Sequence, residues 1–177
     1  MPSLKSRLFL FLLRNRHLFK FRLRRETIDW NKESSIIKFR QECEKGSAMF
    51  GRLPAGIDIS PVTIDGMTAE WIYPSHGTKE KVIFFIHGGG YVCGSCSDHR
   101  SVVAKFVKGT NIAALLFEYR LAPEDPFPAA IDDSVKAYNW LLSSGILPSN
   151  IVFAGDSAGA AMCYAFHVMR YAKSLYL

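Results

Sequence analysis

The sequence predicts an α/β fold, a mostly parallel sheet with helices on both faces. Three observations carry that prediction. The runs Lys81-Val-Ile-Phe-Phe-Ile-His87, Ile112-Ala-Ala-Leu-Leu-Phe117 and Ile151-Val-Phe-Ala154 are continuously apolar between their ends, as strands covered on both faces must be. The stretches between them carry apolar residues at helical spacing. Glycines or prolines mark the changeovers. Strand alternating with helix gives a parallel sheet, because parallel neighbours need a crossover long enough to hold a helix.

The elements follow in order. Residues 1–25 hold eight Lys or Arg and no acid, whereas the remaining residues hold 14 basic and 16 acidic groups. The net charge of +6 therefore sits in one N-terminal arm, not on a folded basic face, which argues against a nucleic-acid binder. Within the arm, Leu8 to Leu13 is too short to cross a bilayer. Arg14, Arg16 and Lys20 interrupt its continuation, and no small-residue cleavage site follows. Plotted on a helix, its apolar and basic residues do not separate cleanly. The favoured reading is a helix packing on the body through Leu and Phe; association of residues 1–25 with an anionic membrane surface and organelle targeting are the rivals.

Ile28 to Phe50 reads as one polar-rich helix, starting near Asn31-Lys-Glu-Ser34 and stopping near Gly46. Pro61 to Pro74 reads as two short strands around Asp65-Gly66, a hairpin turn pair. Helices are expected over Asp98–Lys108, Ala129–Ser143 and Ala158–Arg170. The chain has 177 residues, 49% of them hydrophobic, enough for one core without covalent staples. Its four cysteines, Cys43, Cys93, Cys96 and Cys163, read as reduced thiols in a cytoplasmic setting. Cys93-Gly-Ser-Cys96 with His99 has metal-pair spacing, but a structural zinc site wants a second pair, and coincidence beside a glycine-rich turn is favoured. No metal site is expected.

Chemistry enters at Gly155-Asp156-Ser157-Ala158-Gly159, a G-x-S-x-G between an apolar strand and a helix. A serine on so sharp a turn is held strained with its hydroxyl clear of the sheet. The Ala158 N–H lies at a helix start, where it can meet a developing oxyanion. His87-Gly88-Gly89-Gly90-Tyr91 follows the first apolar strand, and consecutive glycines there bare backbone N–H groups. Two such loops at the carboxyl ends of parallel strands point to acyl transfer at a carbonyl. A phosphate loop is excluded, since no Gly-Lys-Ser/Thr follows.

His87-Gly-Gly-Gly90, Tyr119-Arg-Leu-Ala-Pro-Glu124 and Gly155-Asp-Ser-Ala-Gly159, in this order, resemble the hormone-sensitive lipase family of esterases within the α/β-hydrolase fold. Phe127-Pro-Ala-Ala130 and Asp132-Asp133 resemble that family's continuation, and only Ala160, where it usually has glycine, departs mildly. The resemblance implies Ser157 as nucleophile, Gly89, Gly90 and Ala158 as oxyanion donors, and a loop from Tyr119 to Glu124 bracing the site. It implies supporting roles for His87, Gly88, Gly155, Asp156 and Gly159. It also implies hydrolysis of small esters with short to medium acyl chains without metal or organic cofactor, and a division into cap-like helices at 1–50 and an amino-terminal hydrolase half at 51–177. The same site serves amides, so deacetylation stands as the chemical alternative.

The fold's order is nucleophile, acid, histidine, yet no Asp or Glu follows Ser157 and the only later histidine is His167. Ten residues along one helix place it about 15 Å away, too far for a general base. His87 is tied to the glycine turn, while His76 and His99 are expected in or near loops and could approach Ser157 only by a geometry foreign to the fold. The last apolar strand also lacks a sequence partner for its outer edge. The chain thus reads as truncated after the nucleophile helix, and as poorly active or inactive alone. A non-catalytic or partner-completed hydrolase fragment is the alternative.

Overall fold

The computed structural model describes residues 3–15, 28–48 and 52–175. Its elements are α1 (Leu4–Arg14), α2 (Glu33–Ala48), β1 (Ile57–Ile64), β2 (Met67–Pro74), β3 (Val82–Ile86), α3 (Cys96–Thr110), β4 (Ala113–Phe117), α4 (Ala129–Ser143), β5 (Ile151–Gly155) and α5 (Ala158–Leu175). The strands form one sheet in the order β1-β2-β4-β3-β5. β3 pairs in parallel with both β4 and β5, while β1 and β2 join antiparallel. The alternating segments thus supply the parallel part and the Asp65-Gly66 hairpin the antiparallel edge. Both turn residues have positive φ, 47° and 85°, which matches the strand twist of a two-residue hairpin. β1 begins at Ile57, four residues before the expected Pro61, and as an edge strand it tolerates that proline.

The central strands are apolar at every position because each face meets its own core. Phe84, Leu115 and Phe117 join Ala137 and Leu141 of α4 and Met162 of α5 on one face. Ile83, Phe85 and Leu116 join Val103, Ala104 and Val107 of α3 on the other. The chain winds from β3 outward to β4, then back across β3 to β5. Right-handed crossovers running in opposite directions must place α3 and α4 on opposite faces, as observed. α3 is also fastened by Arg100, whose guanidinium binds the buried Glu70 of β2 with two hydrogen bonds, one of 2.7 Å.

β5 stands at the sheet edge with one strand neighbour among the described residues, leaving Val152 54% exposed. The two N-terminal helices differ from expectation and from each other. α2 begins at Glu33, as its start signal indicates, but runs through Gly46 to Ala48. It buries Ile36 and stacks Phe39 edge-on against Trp30 at 5.6 Å. α1 departs from the favoured reading of the arm, because among the described residues it buries no side chain against the body. Its described side chains from Leu4 to Arg14 are all exposed. Leu10 lies on the side of Arg7 and Arg14, so seating every apolar residue against a protein surface would also strip water from guanidinium groups, which costs more than the contacts return.

Candidate active site

β3 and β5 are neighbours, but the helix after β3 covers one face of the sheet and the helix after β5 covers the other. Their carboxyl ends therefore flank a crevice at a point where the winding reverses, the usual ligand position in such sheets. Register Ile86↔Gly155 sets the two following loops side by side. One is His87–Tyr91, the other Asp156–Ser157.

Ser157 sits exposed between β5 and α5 with φ 49°, in the strained left-handed region that a non-glycine residue rarely occupies. Asp156 O accepts from Gly159 N at 2.8 Å, starting α5 at once. Glycine is required at 159, because a Cβ there would run into the Ile86 carbonyl oxygen. Gly155 approaches the same carbonyl.

The glycine turn is held from within. Gly89 O accepts from Val92 N and Cys93 N, each at 3.1 Å, and from the Cys93 thiol at 3.3 Å. A trans peptide points its N–H opposite to its C=O, so anchoring the Gly89 carbonyl turns the Gly90 N–H outward. Among the described residues no hydrogen bond uses the N–H of Gly89, Gly90 or Ala158. Gly88 N instead donates to Asp156 Oδ1 at 3.0 Å, tying turn to elbow. Tyr91 adds a second tie through its hydroxyl, which donates to Ala158 O at 3.4 Å.

His87 is fully buried and stacked on Tyr119, with ring centroids 4.1 Å apart. Tyr119 donates its hydroxyl to His87 O at 2.9 Å. Because Gly88 O can only accept, the 2.7 Å contact puts the imidazole proton on Nδ1. Burial, with His99 nearby, pushes the His87 pKa down to about 4, so the ring is neutral at pH 7. His87 is thus locked into the frame beneath the glycine turn. His167 lies exposed on α5 and His76 exposed after β2. His99 lies in the first turn of α3, inside the helix expected over Asp98–Lys108, and its Nε2 stands 3.4 Å from Asp156 Oδ1. It reaches the elbow but not the nucleophile, and among the described residues no imidazole bonds Ser157.

The Tyr119–Glu124 loop is braced by a residue that no motif flagged. Arg40 of α2 donates to Val92 O at 2.8 Å, to Ala122 O at 3.1 Å, and to both Glu124 oxygens at 3.0 and 2.7 Å. The Arg40 guanidinium holds Glu124 below the usual carboxylate range. Ala122 N donates to Tyr91 O at 2.8 Å, closing the loop onto the glycine turn. Farther back, Asp133 is buried; burial alone would raise its pKa, but Arg120, through its guanidinium and its backbone N–H, holds it below the ordinary value. A cavity of about 360 Å³ adjoins Gly90 and Tyr91, walled by Phe127, Pro128, Ala130 and Ile131. Ser157 does not line it; Tyr91 lies between the two.

Cys93 and Cys96 turn apart, the first toward Gly89 O and the second toward Leu116 O at 3.7 Å. Burial, aided by the neighbouring Cys43 thiol, pushes Cys93 up to about 12, so it remains a thiol. Among the described residues no group of three His, Cys, Asp or Glu is placed to hold a metal ion. Among them, too, no helix is long and apolar enough to cross a membrane.

A serine strained at a strand-to-helix elbow, facing a glycine turn on the next parallel strand, defines a hydrolase-type α/β protein. A family model described as alpha/beta hydrolase fold matches residues 83–175, more than half of the chain, and the chain belongs to that family. An acetyl-hydrolase of Streptomyces hygroscopicus is 36% identical over 141 residues, covering 78% of this chain and 46% of its own length. A solved esterase from the bacterial hormone-sensitive lipase family is 32% identical with a TM-score of 0.77, covering 97% of this chain and 54% of that one. EstE5, solved after soaking with p-nitrophenyl butyrate, is 36% identical with a TM-score of 0.73 over 92% of this chain and 53% of its own. Within the α/β hydrolases the chain is of the hormone-sensitive-lipase esterase type, as its three motifs indicated. It spans about half the length of these relatives.

Proposed function

We propose that this chain carries the nucleophile and oxyanion half of a carboxylic-ester hydrolase. Ser157 Oγ attacks the ester carbonyl, whose oxygen takes the negative charge. The N–H groups of Gly89, Gly90 and Ala158 donate hydrogen bonds to that oxyanion, the C–O bond to the alcohol breaks, and the alcohol leaves with a proton. Water then releases the acid from the acyl-serine. The observation that carries this reading is Ser157 at φ 49° beside three uncommitted N–H groups. Donors fixed before substrate arrives stabilise developing charge without reorganising.

His87, Gly88, Gly155, Asp156, Gly159 and Glu124 fix the frame and do not touch the reacting atoms. The likeness to hormone-sensitive-lipase-family esterases supports short to medium acyl chains. No group of the described residues stands where it can take the Ser157 proton, and a general base must be within hydrogen-bond reach. Acylation by the chain alone is therefore slow, and turnover rises when a base-bearing polypeptide completes the site. The name of the Streptomyces relative also supports removal of acetyl groups, from oxygen or from nitrogen.

A fluorophosphonate probe with p-nitrophenyl butyrate and the matching p-nitroanilide tests this. The chain is expected to be labelled at Ser157, with ester cleavage exceeding anilide cleavage, and Ser157→Ala is expected to abolish both. Equal labelling of Ser157→Ala would sink the proposal, and preference for the anilide would turn it toward amide hydrolysis.

A further inference from the structure

The arm left unexplained by the site is α1, and its chemistry points to a partner. Leu4 and the unbroken run Leu8 to Leu13 are between 42% and 82% exposed. The helix is nevertheless self-contained. Ser3 caps its start, accepting from Ser6 N at 3.2 Å, and the Asn15 side chain donates to Phe11 O at 2.8 Å at its end. At 100° per residue, Phe11, Leu4, Leu8, Leu12, Phe9 and Leu13 sweep one wide arc, with Arg7 and Arg14 together on the opposite side. Lys5 and Leu10 are the residues that blur the division.

We propose that α1 is an interfacial anchor, laying its apolar arc into the surface of an anionic lipid bilayer. Eleven helical residues reach about 16 Å, half of what spanning requires, so the helix lies in the surface plane. The first 25 residues are free of acid and carry eight positive charges, complementary to a negative leaflet. That charge decides against the rivals. A second copy would bring an equally positive arm against this one, and the body's 14 basic and 16 acidic residues offer no strongly acidic dock. A nucleic-acid strand would neutralise the arginines but leave six adjacent apolar side chains in water. Arginines flanking inserted Leu and Phe keep their heads at the phosphate level while their stems stay apolar.

The inference is independent of the catalytic reading. Its test is co-sedimentation of the full 177-residue chain with phosphatidylcholine vesicles, with and without phosphatidylglycerol, in low and high salt. Binding to the anionic vesicles is expected to exceed binding to the neutral ones by about tenfold or more and to weaken with salt. Leu8→Asp with Phe11→Asp is expected to abolish it, and Arg7→Gln with Arg14→Gln to weaken it, both without lowering the unfolding midpoint. No sedimentation with either vesicle, or unchanged sedimentation of the Asp variant, would overturn the proposal. A lipid-free dimer lost in the Asp variant would also overturn it, assigning the helix to a second copy. A drop in that variant's unfolding midpoint would assign it to the body and end the proposal as well.

Discussion

The two N-terminal helices invert what their compositions suggest. α1 is rich in Leu and Phe yet exposes every described side chain, while the more polar α2 is docked. The difference lies in one residue and one face. Arg40 reaches two backbone carbonyls and a carboxylate on two separate loops, and Ile36 gives the same helix a buried contact. α1 has apolar residues around much of its circumference, and among the described residues no side chain of it hydrogen-bonds the body. Apolar content creates a demand for burial, but a specific polar clamp decides where a surface helix goes.

Acid separates the two regions most sharply. His87 has its pKa pushed from 6.5 down to about 4 by burial, so between those values the unfolded chain binds a proton that the folded chain does not. Stability of the body is fully present above pH 6.5 and falls as pH drops toward 4, by on the order of 3 kcal/mol. Asp133 and Glu124, held low by their arginines, add their losses only below about pH 4. Residues 4–14 contain no group that titrates in the upper window. Urea unfolding from pH 7 to pH 4.5 checks this, with His87→Gln flattening the slope; an unchanged slope would show that another group sets the window.

Cutting the clamp comes next. Arg40→Ala is expected to destabilise the chain by about 2 kcal/mol, the sum of modest hydrogen bonds discounted for the partly exposed Glu124 pair. Arg40→Lys should recover only part of it, since an ammonium cannot reproduce the fork. Amide hydrogen exchange should then rise in α2 and in the Tyr119–Glu124 loop together; exposure of α2 alone would mean that the loop is held by other contacts. Smallest of all, removing residues 1–15 should shift the unfolding free energy by less than about 0.5 kcal/mol. A larger loss would mean that α1 supports the body after all.

What the sequence revealed, and what it hid, follows the same division. The strands from Val82 and Ala113 were legible because double-sided burial leaves an unbroken apolar run, the strand from Ile151 because its run is equally apolar although Val152 is exposed, and the elbow because Gly155, Ser157 and Gly159 are each demanded by local geometry. The extension of β1 back to Ile57 was missed although Ile57-Asp-Ile-Ser60 alternates, because Pro61 argued for an earlier break. Arg40 bonds partners 52 to 84 residues away, and a single arginine on a polar face leaves no periodic mark. α3 starts at Cys96, two residues before the expected Asp98, because Ser95 beside the glycine turn caps the helix by accepting from Asp98 N. The Cys93 thiol looked accidental until its bond to Gly89 O placed it in the turn.

The hydrogen bond from Gly88 N to Asp156 Oδ1 has one more consequence. It is the shorter of two struts joining the jaws of the crevice, the other being the Tyr91 hydroxyl on Ala158 O, while the register of β3 against β5 fixes their hinge. Tilting either jaw would stretch that strut, so the spacing between nucleophile and oxyanion donors behaves as a calibrated gauge. A carbonyl must fit that gauge; the gauge does not open to fit the carbonyl.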